Sequence, residues 1–159
     1  LLKSAKLTGV GSNLYMELEN FRYQYKLTVR FADVDVLGHV NNAKYHTYME
    51  EARLLYAQEV YRRDDDPEGI GLILAHTTID YILPLFQHEG VTIFTRCARL
   101  GRKSFDLFYM IVRDKDEELA ATAKTTIVCY NYKEDRSQLI PALWRERIQA
   151  YETVVPEGS

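Results

Sequence analysis

The sequence predicts an α+β domain, an antiparallel sheet wrapped on one long helix. Three observations predict it. Tyr23, Tyr25, Leu27, Val29 and Phe31 alternate with Gln24, Lys26, Thr28, Arg30 and Ala32, the mark of a half-buried strand. One long helical period follows, with Tyr45, Tyr48, Met49, Ala52, Leu55, Tyr56 and Val60 three or four residues apart. Four further strand-like stretches come after it.

Each element has a local reason. Residues 1 to about 20 read as an N-terminal extension packed by Leu14 and Tyr15, and residues 21–159 as one domain. Its start, Leu1-Leu2-Lys3-Ser4-Ala5-Lys6-Leu7, is too short and interrupted for a secretory signal core. Asp33-Val34-Asp35-Val36-Leu37-Gly38 breaks the first strand, with Gly38 free to take a turn conformation. Asn41 or Asn42 caps the helix, since an Asn side chain accepts from the first free amides. Asp64-Asp65-Asp66-Pro67-Glu68-Gly69 ends the helical stretch as a solvated loop. Strands are expected over 71–82, closed by Pro84, then over 91–100 and 104–113 around a Gly101-Arg102-Lys103 hairpin, and over 119–132. Pro141 introduces a short helix over 142–150.

Composition narrows the function classes. With 47% hydrophobic and 27% charged residues, the 159-residue chain has the apolar surface for a core and is not a disordered chain. A net charge of −3 gives no overall pull on nucleic acid. No apolar run approaches the roughly 20 residues needed to span a bilayer. Two cysteines form no secreted disulfide framework and fit a reducing, cytoplasmic setting. Both Cys97 and Cys129 sit inside strand patterns and read as buried structural thiols. Assembly is also written in the pattern. Phe105, Leu107, Tyr109 and Ile111 share one strand face, while Phe108, Met110 and Val112 share the other. One face covers the helix, and the other needs a second cover, most simply another subunit.

No Gly-x-Ser-x-Gly elbow, P-loop, His-Glu-x-x-His or Cys-x-x-Cys occurs, and no metal or cofactor is expected. The dense polar segment is Asp33 to Tyr45, joining a strand end to a helix start. Asp33 and Asp35 on one strand face would raise each other's pKa. Asp35, His39 and Asn42 stand near a helix N-terminus, whose amides and dipole suit a developing oxyanion. That set fits acyl transfer or hydrolysis. The same residues also serve plain structural ends: Asp35 capping a turn, His39 bonding the backbone, Asn42 capping the helix.

The run from Val29 to Tyr45, VRFADVDVLGHVNNAKY, resembles the signature of 4-hydroxybenzoyl-CoA-type hotdog thioesterases. Tyr48-Met49-Glu50-Glu51-Ala52-Arg53, Ile79-Asp80-Tyr81 with Pro84, and Arg99-Leu100-Gly101-Arg102-Lys103-Ser104-Phe105 continue the likeness, which covers roughly residues 21–150. It implies a hotdog fold, dimeric or tetrameric, with the site at the subunit interface. It implies that Asp35 is the nucleophile or general base, assisted by His39. Backbone amides around Val40, Asn41 and Asn42 would polarise the thioester carbonyl, with Asn42 and Tyr45 shaping the loop and acyl pocket. Glu50 and Glu51 on the helix are the other available carboxylates, and Asp35 is favoured because the Asp-x-x-Gly-His segment is intact. Arg99, Arg102 and Lys103 around the hairpin are cations for CoA phosphates, and Ser104 is a partner for pantetheine. A solvated basic turn is the plain alternative. The implied reaction is hydrolysis of an acyl-CoA thioester. An acyl-acyl carrier protein thioesterase, with an acidic partner protein, and a non-catalytic acyl-CoA-binding protein are the alternatives.

Overall fold

The period-two run at Tyr23 forms strand β1 (Tyr23–Thr28) in a computed structural model of the chain, which describes residues 14, 17–62 and 69–159. Tyr15 and residues 63–68 of the acidic loop lie outside the described residues. Strand β1 stops earlier than its alternation suggests. Arg30 and Asp33 bond each other and fold Phe31–Asp33 into a 3₁₀ turn, which leaves the Phe31 ring 80% exposed.

Helix α1 (Asn42–Glu59) begins where the Asn41 side chain accepts from the Ala43 amide at 2.9 Å, so Asn41 is the cap. It buries Tyr45, Tyr48, Met49, Ala52, Tyr56 and Ala57. Leu55, expected in the core, is exposed, because at 3.6 residues per turn it lies off the line joining Ala52 to Tyr56.

Strands β2 (Gly71–Tyr81), β3 (Gly90–Leu100), β4 (Ser104–Arg113) and β5 (Glu118–Asn131) complete an antiparallel sheet in the order β1-β3-β4-β5-β2. Strand β6 (Arg136–Ser137) pairs with β5 and is too short to show a period in sequence. One sheet face wraps α1. Ile93, Leu107, Tyr109, Ile111 and Ile127 belong to this shared core.

The tyrosine excess goes largely into that core. Tyr45, Tyr48, Tyr56, Tyr61 and Tyr109 are all buried. Tyr23 meets Tyr56 edge-on at 5.4 Å, Tyr56 meets Tyr61 at 6.1 Å, and Tyr61 meets Phe105 at 5.9 Å. Such contacts each add about 0.5–1.5 kcal/mol beyond area burial.

The outer sheet face is covered partly from within the chain. Phe21 packs on Phe94 at 6.2 Å and on Phe108 at 5.9 Å, and Met110 and Val112 beside them are buried. The second cover that the two-sided pattern demands therefore comes in part from the segment just before β1.

Helix α2 (Ala142–Tyr151) closes the sheet end that holds the β3–β4 hairpin, with Trp144 and Ile148 buried. Behind it, the Glu152 carboxylate accepts from the Tyr56 hydroxyl and, at 2.7 Å, from the Cys97 amide. A bulge between Cys97 and Arg99 interrupts the ladder beside that amide. Burial raises the pKa of Glu152 and pushes the Cys97 thiol up, which fits an inert structural cysteine. The tail then runs beside β3, with Glu157 bonded to Ala98 at 3.0 Å and to Leu100 at 2.8 Å.

Asp106, buried on the outer face, accepts from Arg99 at 2.9 and 3.0 Å and from Thr126 at 2.9 Å, and pairs with Lys124 at 3.0 Å. Burial alone would raise its pKa, but these donors outweigh burial and lower it from 3.8 to about 2. A folded value below the unfolded one gives stability that is full above pH 4 and is lost as pH falls through 2. Between pH 6 and pH 3 the Asp106 carboxylate should account for about 1 kcal/mol of lost stability. Urea unfolding at both pH values reads this, and in Asp106→Asn the fall should be smaller by that amount.

Candidate active site

The segment after β1 is pinned at both ends by one buried residue, Asp33, through its carboxylate and its backbone carbonyl. Asp33 accepts from the Arg30 amide at 3.0 Å, from Nε at 3.0 Å and from Nη2 at 3.1 Å, and its carbonyl accepts from the Asn41 amide at 2.9 Å. Lys44 stands 3.9 Å away, and the Tyr48 hydroxyl is buried beside it. Burial works to raise the Asp33 pKa, and the Arg30 bonds outweigh it, so the value is lowered. The expectation of a raised Asp33 is therefore corrected: its carboxylate turns inward to the Arg30 guanidinium.

Between the pins, the chain makes a tight turn. Gly38 donates to the Asp35 carbonyl at 3.0 Å, and Asp35 donates to the His39 carbonyl at 3.0 Å. Gly38 carries the turn at φ +86°, a region a side chain would strain. The Asp35 Oδ1 accepts from the Leu37 amide at 2.8 Å, which fixes the carboxylate over the turn. The His39 ring lies 3.4 Å from the Val40 carbonyl.

Asp35, His39, Asn42, Tyr45 and Tyr81 line one cavity of about 410 Å³. Tyr81 comes from the end of β2, donates to the Asn42 carbonyl at 3.3 Å, and meets Tyr45 edge-on at 5.0 Å. Of the aromatic residues that sequence offers for an acyl pocket, Tyr45, Tyr48, Tyr56, Tyr81 and Phe86, the fold brings Tyr45 and Tyr81 to this cavity. The pairing depends on where β2 ends.

Three amides were expected to polarise a carbonyl, and two are already spent. Val40 donates to Leu85 at 2.8 Å and Asn41 to Asp33. Ala43 and Lys44 donate back to Asn41, at 2.9 and 2.8 Å. Among the described residues, the Asn42 amide alone of these has no acceptor within the chain, so it is the donor that remains for a ligand.

The helix carboxylates point to different tasks. Glu51 accepts from the Tyr25 hydroxyl at 2.7 Å, and Glu50 lies 3.8 Å from Arg53. The basic hairpin is not beside Asp35 at all. Arg99 is held by Asp106 and by Ser104 Oγ at 3.2 Å, so both residues have a structural partner on the outer face. Arg102 is exposed, and Lys103 reaches the Ser137 carbonyl at 3.2 Å. Lys103 accepts at its carbonyl from Cys129, which pairs with Leu72, whereas Asn42 touches Tyr81. Nine residues of β2 separate those points, roughly 30 Å of strand. A single chain thus holds the two halves of the expected site at opposite ends of β2, with β2 an edge of the sheet.

Known proteins share this architecture. A crystal structure of a thioesterase from Thermus thermophilus, complexed with coenzyme A and Zn, matches with a TM-score of 0.74 and 33% identity, covering 86% of this chain and 98% of that one. Among the described residues no group of three or more His, Cys, Asp or Glu is placed to hold a metal ion. The long-chain acyl-CoA thioesterase FadM of Escherichia coli (strain K12) is 27% identical over 131 residues, 79% of this chain and 96% of that protein. The protein YsmA of Bacillus subtilis (strain 168) is 26% identical over 91 residues, 57% of this chain and 61% of that protein. The model of the thioesterase-like superfamily matches residues 29–149, from the strand end through the Asp35 turn to the last helix, and the chain belongs to that family.

Proposed function

We propose that the protein hydrolyses acyl-CoA thioesters at the cavity shared by Asp35 and the Asn42 amide. The observation that carries this reading is that pairing: a fixed carboxylate and an unspent helix N-terminal N–H line one cavity. The enzyme class is thioester hydrolase, in keeping with FadM and the Thermus thermophilus relative. Coenzyme A in that relative's crystal favours a CoA thioester over one on a carrier protein.

The chemistry follows from the atoms. The thioester oxygen takes the Asn42 N–H, and charge builds on that oxygen as the carbonyl carbon becomes tetrahedral. Asp35, unprotonated, supplies the attack, by adding its own oxygen or by taking a proton from a water that adds. The carbon–sulfur bond then breaks and the CoA thiolate leaves, taking up a proton; where Asp35 has added its own oxygen, a water then opens the resulting anhydride to the free acid and restores the carboxylate. His39 stands beside the cavity as a hydrogen-bonding assistant. Both versions of the attack need the same ionised carboxylate, and its bond from Leu37 holds it in place in either.

The complete site is shared between two subunits. Edge strand β2 pairing with its own copy about a two-fold near Ala75 and His76 sets the Gly71 end of one chain beside the Tyr81 end of the other. Arg102 and Lys103 of the partner subunit then serve the Asp35 cavity. The exposed Leu54, Leu55 and Leu74 add apolar area on and beside that edge.

Asp35→Asn keeps the acceptor for Leu37 and loses the base, so thiol release from an acyl-CoA should fall by about 10²–10⁴ in kcat. Undiminished turnover removes Asp35 from the reaction. Asn42→Pro deletes one N–H at the first helical position, where proline fits and where Asn41 already has the extended backbone a following proline requires. It should lower kcat by about 10²–10³ with the helix retained by circular dichroism. Mixing inactive Asp35→Asn with inactive Arg102→Glu should restore about a quarter of wild-type activity, because half the dimers are mixed and each carries one intact site. No recovery after exchange of subunits places the whole site in one chain.

A further inference from the structure

We propose that the Tyr81 hydroxyl is a second donor to the thioester oxygen, acting beside the Asn42 amide, and so a further catalytic residue. The inference rests on the acyl-CoA reading above and adds to it a side chain from a different element of the fold.

The need for a second donor comes from the cavity itself. A carbonyl oxygen that gains charge as its carbon turns tetrahedral has room for two hydrogen bonds, and the Asn42 N–H supplies one. Other backbone donors on the cavity wall are taken. The Leu37 N–H goes to the Asp35 carboxylate and that of Val40 to the Leu85 carbonyl, both at 2.8 Å. Ile82 and Leu83 both donate to the Ala120 carbonyl, at 2.9 and 3.0 Å, and Pro84 has no N–H to give. Among the side chains, the Tyr45 hydroxyl is buried and turned to the Leu85 backbone. Among the described residues the exposed Asn42 side chain has no partner to fix it, and a donor that must first be ordered stabilises little. His39 belongs to the turn that carries Asp35, with its ring against the Val40 carbonyl.

Tyr81 is placed and held for the task. It ends β2, where its backbone pairs with Ala121 across the ladder, and its ring packs edge-on against Tyr45 at 5.0 Å. Its hydroxyl lies 3.3 Å from the carbonyl of Asn42, the residue whose N–H is free. That distance is beyond the usual range for a hydroxyl donor, so the bond is weak. A charged oxygen attracts the same hydroxyl about twice as strongly as a neutral one, and takes it from the Asn42 carbonyl as the carbon becomes tetrahedral. Burial raises the Tyr81 pKa, so the hydroxyl keeps its proton wherever Asp35 is ionised.

Tyr81→Phe keeps the ring on Tyr45 and removes only the oxygen. On an acyl-CoA its kcat should fall about ten- to a hundredfold, with KM changed by less than about twofold, because the bond strengthens only after binding. A fluorotyrosine in place of Tyr81 makes the hydroxyl more acidic and leaves Asp35, His39 and Tyr45, the other titratable groups on the cavity, as they are. Activity lost as the hydroxyl ionises should then disappear at lower pH than in wild type. A bond that only steadies the first turn of helix α1 moves neither kcat alone nor that alkaline limb. One readout needs no turnover: infrared difference spectroscopy of an acyl-CoA bound intact to Asp35→Asn. Its thioester carbonyl stretch should move back toward the free value when Tyr81→Phe is added. Unchanged kcat in Tyr81→Phe overturns the role, as does an unchanged carbonyl stretch or a rise in KM with kcat intact. If wild type cleaves no thioester, the hydrolase reading fails, and the infrared comparison still decides whether the hydroxyl reaches a bound carbonyl.

Discussion

The Asp33 carboxylate is the constraint on which the site depends. A buried carboxylate needs donors for its oxygens, and Arg30 supplies three. Meeting that need ends β1, turns the chain outward and brings the Asp33 carbonyl to the Asn41 amide. Asp35 and His39 lie between those anchors, and Asn42 follows directly after the second. With both ends tied, the Asp35 turn has few ways to fold, and helix α1 starts with Asn41 in its cap and Asn42 in its first turn. The Asp35 carboxylate is therefore positioned by a second acidic residue two places earlier, whose own side chain is taken up by Arg30.

Most of the architecture was legible because side-chain period survives tertiary packing. The helix and the long strands fall within two residues of their expected bounds, since apolar runs, a helical stripe and the Gly and Pro residues between them mark each one. Misreadings came where a long-range partner decides the outcome. The alternation through Phe31 looks like strand, but the Arg30–Asp33 fork bends it away. Leu55 has core chemistry at the wrong helical phase. At the site, Asp35, His39, Asn42 and Tyr45 gather as the motif implies. Which amide remains free was not readable, because the acceptor for Val40 is Leu85, forty-five residues on. Arg99 looked like a surface cation until Asp106 from the next strand claimed it.

The long separation along β2 shapes the dimer proposed above. In one chain the Asp35 cavity and the start of helix α1 lie at the Tyr81 end of that strand, and the hairpin that carries Arg102 and Lys103 lies at its Gly71 end. Antiparallel pairing of this edge with its own copy, as proposed, exchanges the ends of the strand, because the two-fold axis lies on it.

The anchor of the C-terminal tail has a consequence for how the chain is made. The Tyr56 hydroxyl and the Cys97 amide both depend on Glu152, ninety-six and fifty-five residues further along. Until that residue leaves the ribosome, the end of helix α1 faces a sheet with two unsatisfied donors and an open edge along β3. Topology of this kind makes final closure slow and late. A single carboxylate far along the sequence thus joins the last turn of helix α1 to strand β3, and closure of the sheet on its helix waits for it.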